Sequence, residues 1–263
     1  MIVGFQGEPG AFSEEAAQAL FPAVETRGYP NFDRLVDAVD TREIPIGLLP
    51  CENSIHGPVA RAYDLLYAHP RVRIVDETKH RIVQTLIGTP GARLAEIRRI
   101  ESHPVALEQC RRFLGSLDDV EVVPVADTAG AVREIVRAGD RSRAAIGPAA
   151  SAQRYGGAIL AEAVQDETEN YTRFFAIERD GTSRRRLGRA VLAFVLPHQP
   201  GSLHAALGVF AARQLNLRAL VARPLAGRPF EYVFYAELDC PDETQAQSVV
   251  REIGAETRIL GWY

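Results

Sequence analysis

Five short stretches of the chain gather residue types that can hold or move small polar groups. Gly7-Glu8-Pro9-Gly10-Ala11-Phe12-Ser13 lies between a strand-like run and a helix-like run. Glycines there permit close backbone approach, and free N–H groups at a strand-to-helix turn face an anion such as a carboxylate. A glycine turn without any ligand accounts for the same residues equally well. The stretch lacks the Gly-Lys-Ser/Thr ending of a nucleotide loop and the G-x-G-x-x-G spacing of a dinucleotide site, so neither ligand is implied. Pro50-Cys51-Glu52-Asn53-Ser54-Ile55-His56-Gly57 follows the apolar run 46–49, and in open α/β sheets ligands bind beyond the carboxyl ends of strands. Asn53 brings two donors and Ser54 one, suited to a carboxylate or hydroxyl, with turn formation and capping as the competing reading. Ser102-His103-Pro104 and Asp127-Thr128-Ala129-Gly130 carry the same two readings. In Asn170-Tyr171-Thr172-Arg173-Phe174-Phe175 an extended backbone puts Thr172 and Phe174 on one face and Arg173 on the other. A lone threonine in a strand is most often only a good strand former.

These stretches need a scaffold, and 263 residues are enough for two folding units. With 46% hydrophobic and 24% charged residues the chain has the make-up of a folded globular protein. A net charge of -4 offers no broad attraction for a polyanion, so nucleic acid is not an expected partner. Arg184, Arg185 and Arg186 form the one basic cluster and read as a solvated linker. Cys51, Cys110 and Cys240 are widely spaced with no C-x-x-C pair, against both a disulfide framework and a zinc site. The N-terminus has no basic region followed by an apolar core, and no run of about 18 apolar residues occurs, so the expected location is the cytoplasm, without membrane insertion.

Up to about residue 180, short apolar runs alternate with helical periodicity, the pattern of parallel strands joined by crossover helices. Strands are expected at 2–5, 46–49, 72–75, 82–87, 99–101, 120–123, 144–146 and 173–177. Helices are expected to begin near Phe12, Phe32, Val59, Pro104, Ala129 and Pro148, with Asn31 and Thr128 as caps. The polar segment 179–189 reads as a linker. Beyond it the order strand, helix, strand, strand, helix, strand predicts a ferredoxin-like βαββαβ unit.

The stretches GEPGAFSEEAA, PCENSIHG, SHPVALEQC, DTAGAV and NYTRFF, in this order and at these spacings, resemble the successive motifs of the prephenate dehydratase family over nearly the whole chain. The most specific part is Thr172-Arg173-Phe174 after Asn170. The resemblance implies an α/β fold with a bilobed, periplasmic-binding-protein-like catalytic domain (1–180) followed by a ferredoxin-like ACT regulatory domain (190–263) after a linker at 181–189. Lobe one would comprise about 1–76 and 160–180, and lobe two about 77–159. It implies decarboxylating dehydration of prephenate to phenylpyruvate without metal or other cofactor, and a homodimer or homotetramer.

By the same resemblance Thr172 is catalytic, Arg173 orients the site or pairs with a carboxylate, and Phe174 holds Thr172 by packing. Substrate contacts are expected from Gly10, Ala11, Phe12, Ser13, Asn53, Ser54, Gly57, Thr128, Ala129, Gly130 and Asn170. An amino-acid effector such as phenylalanine is expected at Gly201, Ser202, Leu203, Arg223 and Pro224. The chain departs from the family at five places: His56 replaces a glutamate, Gln84 stands where a histidine is frequent, Ser202 replaces the Ala of a Gly-Ala-Leu segment, and Val221 and Ala222 replace the Glu and Ser of a Glu-Ser-Arg-Pro segment. Two rival readings are arogenate dehydratase and a non-catalytic amino-acid-sensing module; intact Thr172-Arg173-Phe174 counts against the latter.

Overall fold

The computed structural model describes residues 1–181, 185–254 and 256–263. The first part of the chain forms β1 (Ile2–Gln6), α1 (Phe12–Leu20), β2 (Glu25–Tyr29), α2 (Phe32–Asp40), β3 (Ile46–Asn53), β4 (Gly57–Pro58), α3 (Ala60–Ala68), β5 (Val72–Arg81) and β6 (Thr85–Gly88). Next come β7 (Arg99–Ser102), α4 (Pro104–Glu108), α5 (Arg111–Gly115), β8 (Glu121–Pro124), α6 (Thr128–Ala138), β9 (Arg143–Gly147), α7 (Ala149–Tyr155), β10 (Ala158–Ala161) and β11 (Tyr171–Arg179). The last stretch is β12 (Arg189–Val195), α8 (Ser202–Ala212), β13 (Leu217–Pro224), β14 (Tyr232–Asp239), α9 (Glu243–Ile253) and β15 (Thr257–Trp262).

Two compact units result. The first comprises Met1–Asn31, Glu52–Gly57 and Lys79–Phe174; the second comprises Phe32–Cys51, Pro58–Thr78 and Phe175–Tyr263. In the first, β1 and β2 pair in parallel, and a five-stranded sheet runs β10-β6-β9-β7-β8. Alternation sorts its side chains to two apolar layers. Leu86, Ile100, Ala144 and Ile146 pack with Ala106 and Leu107 of α4, while Ile87 and Ala145 pack with Ala131, Val132 and Ile135 of α6. Burial on both faces is why β6 and β9 read as apolar runs. The sheet is mixed where a parallel one was expected: β7 is parallel to β8 and β9, but β6 is antiparallel to β9 and to β10.

In the second unit the antiparallel order β13-β14-β12-β15 with α8 and α9 is the expected ferredoxin-like βαββαβ arrangement. Leu192, Phe194, Phe210, Leu238 and Val249 form its core. β15 continues the sheet to β5.

Several elements differ from the sequence expectation. β3 runs on through Pro50 to Asn53, and β5 runs to Arg81 instead of ending at 75. Asp76 and Glu77 look like solvent residues, yet both are buried: Arg185 holds the Asp76 carboxylate, while Arg189 and the Tyr263 hydroxyl hold Glu77. Arg185 is therefore a docked side chain and not a free linker charge, and Arg184 lies outside the described residues. β2 and β10 were not expected; Glu25–Tyr29 is polar and mostly exposed and shows no alternation. The cap of α6 is Asp127, one residue before the expected Thr128, its carboxylate accepting from the Gly130 N–H at 2.5 Å.

Candidate active site

β3 and β11 deliver the end of one strand to the start of another, and Asn53 joins them. Its Oδ1 accepts from the Ile55 and His56 amides, each at 3.0 Å, closing the turn that follows β3. That fixes the amide orientation, since the opposite flip would face donors with donors. The Nδ2 hydrogens therefore point to Asn170 Oδ1 (2.8 Å), the Tyr171 carbonyl (3.1 Å) and Thr172 Oγ1 (3.2 Å). Thr172 accepts this bond, so its own hydroxyl hydrogen is free to be donated. Arg173, on the opposite face, is buried, and its guanidinium reaches Glu52 Oε2 at 3.0 Å. Phe174 is buried as well.

Asn170 is wholly buried, and its Nδ2 has no partner among the described residues. An unmatched buried donor costs about 1–3 kcal/mol. Asn170 lines a cavity of about 230 Å³ with His56, Gln109, Arg111, Arg112 and Gln165. Ser54 is differently employed. Its hydroxyl donates to the Glu169 carbonyl (3.2 Å) and accepts from the Tyr171 N–H (2.9 Å), which leaves no hydrogen for a ligand. Ser54 thus clasps β11 to the turn. Gly57 ends that turn with φ +78°.

The glycine turn is held from several sides. Gly10, at φ +90°, donates its N–H to Glu14 Oε2 (2.5 Å) and receives the Ser151 hydroxyl on its carbonyl (2.9 Å). Tyr155 OH donates to the Pro9 carbonyl (2.7 Å), and Arg133 pairs with Glu8 (2.6 Å). Ala11 is the N-cap of α1 and has no side chain to cap with, so the first-turn amides of Phe12 and Ser13 stay open to an acceptor. Phe12 lies 6.4 Å from the His80 ring, and His80 Nε2 meets Glu15 at 2.9 Å. Thr128 opens α6, half-buried, followed by buried Ala129 and Gly130; a Cβ at Gly130 would stand 2.6 Å from the capping Asp127 carboxylate.

Asn53 is thus joined directly to Asn170 and Thr172, and Ser54 to the backbone at 169 and 171, whereas the Gly10–Ser13 turn is braced on α6 and α7. Residues 80–82 touch both sets: His80 lies against Phe12 and Glu15, and the Ile82 N–H donates to the Asn170 carbonyl at 2.8 Å. Gln84 is buried, giving its side-chain N–H to Gln109 (3.1 Å) and its backbone N–H to Gln165 (2.9 Å). His56 exposes its side chain. Sequence reasoning missed the bracing roles of Glu14 and Ser151; the i to i+4 spacing of Gly10 and Glu14 was the one local signal, and Ser151 lies 141 positions away.

Of the expected effector residues, Gly201 caps α8 in the left-handed region at φ +86°. Ser202 and Leu203 line a cavity of about 180 Å³ with Leu196, His198, Glu231 and Phe234. Arg223 is turned to Asp64, its Nη2 at 3.0 Å, and Pro224 ends β13.

Amide and hydroxyl donors gathered at strand ends of a mixed α/β fold suit a lyase that eases a leaving group from a polar substrate. Residues 3–182 match the family described as prephenate dehydratase. Arogenate dehydratase/prephenate dehydratase 2 of Arabidopsis thaliana is 37% identical over 279 residues, covering 99% of this chain and 72% of that protein. A bifunctional N-acyl-homoserine lactone acylase/prephenate dehydratase of Komagataeibacter europaeus is 32% identical over 100% of this chain and 95% of its own. The prephenate dehydratase of Arthrobacter aurescens solved with L-Phe superposes with a TM-score of 0.91 at 28% identity, over 99% of this chain and 89% of that one. The chain belongs to the prephenate dehydratase family.

Proposed function

We propose that the Asn53–Thr172 pair carries the decarboxylating dehydration of prephenate to phenylpyruvate. As the ring carboxylate leaves as carbon dioxide, the electrons of its C–C bond enter the ring and the C–O bond breaks with its pair on the departing hydroxyl, which takes up a proton to become water. The observation that carries the reading is the hydrogen bond from Asn53 Nδ2 to Thr172 Oγ1. It polarises the hydroxyl and leaves its hydrogen to be donated where negative charge develops. A threonine is a weak acid, so the role is a positioned hydrogen bond, and such assistance is worth about 10²–10⁴-fold. The amides of Phe12 and Ser13, the Thr128 hydroxyl and Asn170 Nδ2 are the donors assigned to the carboxylates, and the Arg173–Glu52 pair holds the start of β11 in register.

Thr172→Ala tests this. It removes a hydroxyl and little packed volume, so folding should survive while the rate at saturating prephenate falls about 100-fold or more. A folded variant within about threefold of the parent refutes the role.

Arogenate is the second substrate, favoured by the relatives named for both activities. The C-terminal βαββαβ unit is assigned an ACT-type regulatory role, with Gly201-Ser202-Leu203 and Arg223-Pro224 as its effector segments. A homodimer or homotetramer is supported by the exposed apolar residues Leu220 on the terminal strand β13, Phe230 and Tyr232, which a symmetry mate would cover. Cytoplasmic action is supported by three free, buried cysteines, and no helix among the described residues is long and apolar enough to cross a membrane.

A further inference from the structure

β15 meets β5 through one registered pair, Gly261 opposite Ile74, where a Cβ on Gly261 would stand 2.5 Å from the Ile74 carbonyl oxygen. Beside this junction opens a cavity of about 580 Å³, inside the usual range for small-molecule sites of about 300–1,000 Å³. Its polar lining is Arg73, Arg186, Glu243 and Gln247, and the indole of Trp262 forms one wall. Glu243 and Gln247 are one turn apart on α9 and so present to one face. The indole is fixed by its Nε1–H donating to the Cys240 carbonyl at 2.8 Å, with the Arg186 guanidinium 5.8 Å from its centroid.

The charges of this cavity do not cancel. The neighbouring acids are already engaged, Asp76 by Arg185 and Glu77 by Arg189. Arg73 donates to the Ile259 carbonyl, and among the described residues neither it nor Arg186 meets a carboxylate, nor does Glu243 meet a cation. Arg258 on β15 donates to the Leu66 and Tyr67 carbonyls and lies 5.0 Å from the Tyr67 ring centroid, and burial together with the charge of Arg73 holds its pKa below the usual arginine value. Among the described residues, the Arg73 and Arg186 guanidinium groups thus line the cavity without a carboxylate partner, and Glu243 lines it without a cation partner.

We propose that this cavity binds a free α-amino acid, with its carboxylate on Arg73 and Arg186, its ammonium on Glu243 and its side chain against Trp262. The site is made of other residues than the Gly201–Leu203 turn and does not rest on the catalytic reading. Trp262 is the sole tryptophan in the chain, so its emission reports this cavity directly. Titration of the full chain with L-phenylalanine should shift that emission saturably. Arg186→Gln and Glu243→Gln should each raise the apparent Kd about tenfold or more, with Ser202→Ala neutral. 3-Phenylpropionate, which lacks the ammonium, should bind the parent more weakly but the Glu243→Gln variant as well as L-phenylalanine does. No emission change at millimolar L-phenylalanine, a Kd indifferent to both cavity variants, or inorganic phosphate binding as tightly as the amino acid would each overturn the proposal.

Discussion

Asn53 donates through Nδ2 and accepts through Oδ1 at once, closing the turn after β3 while reaching Asn170 and Thr172. The two jobs separate in Asn53→Asp. A carboxylate still accepts from the Ile55 and His56 amides, so the turn persists, but it has no hydrogen for Thr172. The contacts to Asn170 and Tyr171 go with it; loss of the bond to Thr172 alone costs about 1–3 kcal/mol, so kcat should fall roughly tenfold to a hundredfold with an unchanged circular dichroism spectrum. An unaltered kcat with the turn intact would separate Asn53 from catalysis. At this scale the sequence was legible in residue type and obscure in use. Asn53 stood out by its donors, Asn170 and Thr172 only through the family resemblance, and the structure joins the three. Ser54 stood out equally, yet its hydroxyl is consumed by the backbone at 169 and 171, a contact between positions 115 and 117 residues apart that no local pattern encodes.

The element that presents the glycine turn is α1, held by α7 through Ser151 and from within by Glu14. Ser151→Ala strands the buried Gly10 carbonyl, which should lower stability by about 1–3 kcal/mol. If the turn binds a substrate carboxylate, KM for prephenate should rise severalfold with kcat nearly unchanged, because a displaced ground-state contact acts on binding. A stability loss with KM unmoved would make the turn a structural feature only. Elements with strong periodicity and a local stop were readable: the second helix expected beyond the linker is α9 at Glu243–Ile253, between Asp242 and Gly254. The first four residues of β5 were readable, but its continuation past Val75 was not, because Asp76 and Glu77 are neutralised in the strand by arginines more than 100 positions later. β2 escaped because its side chains face solvent and carry no alternation.

For the molecule as a whole, the order of elements was legible but the side-chain pairs that fasten distant stretches to one another were not. α3 is fastened to β13 and β14 by Asp64 with Arg223 and by Tyr63 with Glu237, pairs 159 and 174 positions apart. Arg223, held by Asp64, and the replacement of two polar effector residues by Val221 and Ala222 both predict that L-phenylalanine inhibits weakly. Each unmatched ligand group should cost about 1–3 kcal/mol, or roughly tenfold to a hundredfold in affinity. An inhibition curve with its midpoint at low micromolar L-phenylalanine would show that those groups are dispensable. The central claim is catalytic, and the most direct measurement is phenylpyruvate formation by the purified chain given prephenate, with arogenate run in parallel and followed as phenylalanine. The account predicts turnover of prephenate that collapses in Thr172→Ala; a folded protein that yields no phenylpyruvate, or whose yield is untouched by that substitution, would contradict it.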